Sequence, residues 1–71
     1  MEKITIHTDF IKLAQLLKFA SIVSNGSDAK IIIADGLVKV NGNIVHERGK
    51  KIYPGDIVDI EDIGSVIVEH E

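Results

Sequence analysis

Polar and apolar residues alternate over Lys3-Ile4-Thr5-Ile6, the period of a strand that faces a core on one side only. His7-Thr8-Asp9 breaks the alternation, and a helical pattern follows. From Phe10 to about Ile22, Phe10, Leu13, Ala14, Leu17 and Ala20 form one apolar stripe, which Ile11, Leu16 and Phe19 widen. Lys12, Gln15 and Lys18 recur every third residue and share the opposite, wet ridge. Thr8 or Asp9 offers a side-chain oxygen to the free N–H groups at the helix start. Ser24-Asn25-Gly26-Ser27 is turn punctuation. A second helix is predicted from about Ser27 to Asp35, capped by Ser24 or Ser27, with Asp28 near the positive end of its dipole. Ala29, Ile32 and Ile33 form its buried side. Gly36 ends it, because glycine accepts the left-handed backbone that a helix terminus often needs.

Strand periodicity returns at Leu37-Val38-Lys39-Val40 and again over Asn43 to His46. Between them lies Asn41-Gly42, the strongest short hairpin signal, since both residues tolerate positive φ. Glu47 to Lys51 reads as a charged loop. Tyr53-Pro54-Gly55-Asp56 fits a type II turn, with proline second and glycine third. Ile57 to Ile60 and Ser65 to Val68 complete the strands. The predicted architecture is α+β: two adjacent helices packed on a small, mostly antiparallel sheet of about five strands.

The chain of 71 residues makes one small domain, spanning 1–71. A core of this size supplies roughly 3–5 kcal/mol of net stability. With no cysteine there is no disulfide or thiolate metal site, which fits a reducing compartment. The apolar stretch from Phe10 to Val23 is interrupted by Lys12, Gln15 and Lys18 and is too short to span a bilayer. A cytoplasmic protein without membrane attachment is expected.

The net charge of −3 weakly opposes nucleic-acid binding, but its distribution does not. Residues 56–71 hold six acidic groups and no Lys or Arg. Five of the eight basic residues, Lys30, Lys39, Arg48, Lys50 and Lys51, fall between positions 30 and 55. The acidic total belongs to the tail, and the middle is a basic island on a helix–hairpin scaffold, a plausible grip for a phosphate backbone.

The order Ala29-Lys30, Asp35-Gly36, Val38-Lys39-Val40-Asn41-Gly42 and Pro54-Gly55-Asp56-Ile57-Val58 resembles the S4 RNA-binding domain family. The core of the resemblance covers about residues 10–60. Arg48-Gly49-Lys50-Lys51 is similar to the basic run that follows the hairpin in small stand-alone bacterial members. The resemblance implies the αL-type RNA-binding motif and binding to structured RNA, often ribosomal RNA, through the second helix and the hairpin. Many members carry an arginine in the turn before the second helix; here that place falls at about Gly26, leaving backbone N–H groups to hold a phosphate.

The candidate RNA-binding residues are Ser27, Lys30, Lys39, Asn41, Arg48, Lys50 and Lys51, with Lys12 and Lys18 extending a phosphate track. Lys30 lies one turn into the second helix, beside its N-terminus. Arg48 offers a bidentate fork or a stacking plane, whereas the lysines act as point charges. Lys39 points away from Val38 and Val40, either into the binding surface or simply to solvent. Asn41 is first a turn residue and second an amide for a base or ribose. His46 adjoins the basic loop.

His7, His46 and His70 lack metal-ligand spacing, and Asp56, Asp59, Glu61 and Asp62 lack the calcium-loop pattern, so neither metal nor cofactor is expected. No nucleophile motif or phosphate-binding glycine loop of an enzyme is present. The expectation is a non-catalytic protein that binds structured RNA, ribosomal RNA foremost, by backbone shape. The alternative is a protein-docking or homodimerisation module on the same fold, supported by the high aliphatic content and the net acidity. A third reading is an accessory domain acting in trans with an RNA-modifying enzyme.

Overall fold

The computed structural model describes residues 1–71. In chain order the elements are β1 (Glu2–Ile6), β2 (Ile11–Lys12), α1 (Leu13–Phe19), α2 (Gly26–Ala34), β3 (Val38–Val40), β4 (Asn43–Ile44), β5 (Lys51–Ile52), β6 (Ile57–Ile60) and β7 (Gly64–His70). Five strands form one sheet in the order β1-β7-β6-β3-β4; β1 runs parallel to β7 and every other pairing is antiparallel. β2 and β5 form a separate two-stranded ribbon. This is the expected α+β architecture, with the ribbon as an addition.

Strand alternation sorts the large sheet into two faces. Ile4, Ile6, Val38, Val40, Val58, Ile60, Val66 and Val68 are buried on the inner face. There they join Leu13, Leu16 and Leu17 of α1, Ala29 and Ile33 of α2, and Ile52 of β5 in one core of 14 residues. The other face carries Lys39 directly opposite Asp59, and Asp59 directly opposite Ser65, whose hydroxyl donates to the Asp59 carboxylate.

Glycine and its substitutes set the element ends. α2 closes with the Gly36 N–H donating to the Ile33 carbonyl at 3.1 Å and the Leu37 N–H to that of Ile32 at 3.1 Å, while Gly36 holds φ at 76°. α1 ends by the same motif, but Ser21 takes the left-handed position at φ 61°. The Ser21 N–H donates to the Lys18 carbonyl and the Ile22 N–H to that of Leu17, both at 3.0 Å. The helix therefore stops at Phe19, short of the expected Ile22, and Phe19 stands exposed rather than widening the apolar stripe.

The start of α1 also differs from expectation. Phe10 and Ile11 precede the helix, because Ile11 and Lys12 pair with Ile52 and Lys51 in the ribbon. Neither Thr8 nor Asp9 caps α1; the Leu13 N–H donates to the Lys50 carbonyl at 2.9 Å and the Ala14 N–H to the Arg48 carbonyl at 3.0 Å. At α2, the cap is Asn25 rather than Ser24 or Ser27: its Oδ1 accepts from the Asp28 N–H at 2.9 Å.

Candidate nucleic-acid interface

The charged loop predicted after the hairpin is not loose. The Lys50 N–H donates to the Glu47 carbonyl at 3.2 Å and closes a tight turn over Arg48-Gly49. The carbonyls of Arg48 and Lys50 then cap α1, and Lys51 enters the ribbon opposite Lys12. Backbone bonds thus hold the loop at both sides, so its cationic side chains start from fixed positions. Preorganisation of this kind lowers the ordering cost of binding an anion.

Lys30, on the exposed side of α2, faces this loop across an open groove. The groove is lined by Lys30, Ile33, Ala34, His46, Glu47, Arg48 and Gly49. The structure therefore brings Lys30 and Arg48, residues from separate elements, onto one groove together with His46. Glu47 is the one carboxylate on that lining.

The ribbon adds a second pair of cations. Lys12 and Lys51 are direct cross-strand partners, so their side chains project to the same side, and both are exposed. Two like charges in this position repel each other. The sequence pattern puts Lys12 on the wet ridge of the first helix; its place on a strand instead is what sets it beside Lys51. Lys50, between the groove and the ribbon, is half-buried.

None of Lys12, Lys30, Arg48, Lys50 and Lys51 forms an ion pair. The Lys3–Glu69 ion pair at 3.8 Å and the His7–Glu71 contact tie β1 and the residue after it to the end of the chain. The acidic residues Asp59, Glu61 and Asp62 gather elsewhere, around a groove shared with Lys39, Ile44 and Ile63. Cations without carboxylate partners leave a positive potential available to an anionic partner.

The remaining candidates stand apart from this group. Lys39 sits on the outer face of the sheet, opposite Asp59 and away from the helices. Lys18 lines a shallow depression with Ser21, Ile22, Val23, Ser24 and Asp28, beside the N-terminus of α2. Ser27 is exposed in the first turn of that helix, where Asp28 already supplies negative charge. Asn41 uses its amide inside the protein: Nδ2 donates to the Asp56 carboxylate and Oδ1 accepts from the Ile57 N–H, each at 2.9 Å.

The basic surface also carries an aromatic pair that no local sequence pattern marks. Phe10 and Tyr53, distant in sequence, meet with ring centroids 5.9 Å apart, and the Lys51 ammonium lies 4.9 Å from the centre of the Phe10 ring. The available signal was slight: two of only three aromatics in the chain flank the residues of the ribbon.

The helix pair, the Asn-Gly hairpin and the Gly-Asp turn, with a cationic loop bound to the first helix, define the protein's class. A family model described as the S4 domain matches residues 4–69, and the chain belongs to that family. It is similar to a probable ribosome maturation protein, RlbA, of Bacillus subtilis (strain 168), with 42% identity over 62 residues, 87% of this chain and 87% of the relative.

Proposed function

We propose that this protein is a non-catalytic RNA-binding module that acts in the cytoplasm on structured ribosomal RNA, in the making or upkeep of ribosomes. The observation that carries the reading is the set of cations without ion-pair partners from four separate segments: Lys12 on β2, Lys30 on α2, Arg48 and Lys50 on the loop, and Lys51 on β5. S4-domain membership and the printed description of the Bacillus subtilis relative as a probable ribosome maturation protein support it.

Lys30 and Arg48 hold one stretch of phosphate backbone across their groove, and Lys12 with Lys51 hold another along the ribbon. Arg48 gives geometric selectivity through its planar fork, whereas the lysines supply charge. Backbone contacts orient the RNA, and the spacing of the two cation groups selects a shape. Lys18 and Ser27 extend the track past the start of α2, whereas Lys39, on the outer sheet face, and Asn41, whose amide serves the hairpin joint, lie outside it.

The test is RNA affinity as a function of salt. Log affinity should fall linearly with log salt, by about 0.7–0.9 for each phosphate contact. The triple variant K30A/R48A/K50A should lose binding and flatten that slope while keeping its circular dichroism spectrum. Unchanged affinity in a folded triple variant overturns the site; failure of the wild-type chain to retain ribosomal RNA overturns the function.

A second reading, docking to a protein or a second copy through the outer sheet face, draws on Ile44 and Ile63, which are 53% and 61% exposed beside Lys39. A dimer at micromolar concentration without RNA retention would favour it over the first.

A further inference from the structure

The Phe10–Tyr53 pair lies at the end of the ribbon that carries Lys12 and Lys51. Tyr53 is the first residue of the Pro-Gly turn, and its backbone is held twice by one neighbour. Its N–H donates to Asp56 Oδ2 at 2.8 Å, and its carbonyl accepts from the Asp56 N–H at 3.0 Å. The ring inclines at 50° to Phe10, while 47% of the residue remains exposed. The phenol oxygen has no hydrogen-bond partner in the protein. An aromatic side chain on a fixed backbone, supported by a second ring and left half open, is a ready surface for another flat group.

The nearby charges say which flat group fits. Lys51 is anchored over the Phe10 ring by a cation–π contact, and Lys12 lies directly across the ribbon. A planar ligand on Tyr53 would therefore meet the Lys51 ammonium beside the ring pair, with Lys12 as its cross-strand neighbour, while the Asp56 carboxylate of the turn is already engaged by the Tyr53 N–H and the Asn41 amide. A nucleotide combines a π-face with an attached phosphate and matches both parts. A base paired within a helix has its faces occupied by its stacked neighbours, so the fitting ligand is an unpaired one.

We infer that Tyr53, supported by Phe10, stacks on an unpaired nucleobase flanking the structured RNA, while Lys51 and Lys12 hold the phosphate of that nucleotide. The inference rests on the RNA-binding reading above and extends it from backbone shape to single-stranded flanks. It gives a role to two aromatics that the phosphate grip does not use.

Tyr53 is the only tyrosine and the chain has no tryptophan, so intrinsic fluorescence reports on this position alone. The experiment compares a blunt hairpin taken from the ribosomal RNA that the protein retains with the same hairpin carrying a short unpaired 3′ adenosine extension, at low salt. The extended hairpin should quench tyrosine emission and bind more tightly than the blunt one. Y53A should lose that advantage, about 5- to 150-fold, and keep wild-type affinity for the blunt hairpin. Y53F, which preserves the π-face, should retain it, and thermal melts of each variant verify folding. Equal binding of both hairpins without differential quenching overturns the stacking site and leaves the phosphate grip standing. Failure to bind either hairpin overturns both readings.

Discussion

The Asn41 amide and the Asp56 carboxylate lock the hairpin to the Pro-Gly turn. Asn41 Nδ2 donates to Asp56 Oδ1 at 2.9 Å. Asn41 Oδ1 accepts from the Ile57 N–H at 2.9 Å, and the Asn41 N–H donates to the Ile57 carbonyl at 2.8 Å. Asp56 uses its other oxygen to accept from the Tyr53 N–H at 2.8 Å. The Asn-Gly and Gly-Asp motifs, which look independent in the sequence, are thus two halves of one joint. That joint holds Tyr53 and, through β5, helps position the cationic loop.

The joint should be energetically coupled. N41A loses two side-chain hydrogen bonds and places alanine at φ 51°, so it should cost roughly 1–3 kcal/mol, a large share of what so small a core supplies. The double variant N41A/D56A should cost less than the sum of the single variants, with a coupling of about 0.5–3 kcal/mol. Urea melts of the four proteins measure it; strict additivity would mean that the two residues act separately.

The left-handed helix ends allow two opposite stability predictions. S21G should stabilise the protein by about 0.5–1 kcal/mol, because Ser21 holds φ at 61° where glycine has no Cβ penalty. G36A should destabilise it by roughly 1 kcal/mol through its φ of 76°. Space is not the reason at Gly36: an added Cβ would meet His46 at 3.6 Å and Ile44 at 3.8 Å, ordinary contact distances. Thermal melts should move in opposite directions.

These positions also mark where the sequence was legible. Asn41-Gly42, Tyr53-Pro54-Gly55-Asp56 and Gly36 set the backbone through their own φ preferences, so each could be placed from local residues: φ is 51° and 86° at the hairpin, 94° at Gly55 and 76° at Gly36. Strand alternation likewise placed the buried valines and isoleucines. The ribbon was not legible, because two-residue strands have no period and are specified by partners distant in the chain. The same remoteness hid the cap of α1, which consists of main-chain carbonyls at Arg48 and Lys50. For the candidate site, the identities of the cations were readable but their grouping was not. Lys12 joins Lys51 because of the ribbon, and Lys39 faces away because of the strand's register.

The Lys12–Lys51 pair predicts a trade between stability and binding. Like charges directly opposite on paired strands repel, so K12E should stabilise the free protein by about 0.2–1 kcal/mol. The same change places a carboxylate on the binding surface and should lower RNA affinity. Opposite signs in a thermal melt and an RNA titration support a functional repulsion; a loss in both would make Lys12 structural.

Glu47 provides the test from the other direction, because it is the one carboxylate on the groove that Lys30 and Arg48 share. It contributes a main-chain carbonyl to the loop turn, and the protein gives its side chain no ion-pair or hydrogen-bond partner. E47K should therefore leave stability within about 0.5 kcal/mol of wild type. It should also raise RNA affinity and steepen the salt dependence by about 0.7–0.9 if the new lysine reaches a phosphate. The control is E61K, on the acidic groove just past the end of β6, where added charge should have a smaller effect. Equal gains from both variants would reduce the effect to net charge, whereas a gain confined to E47K locates the RNA backbone over the groove between α2 and the loop.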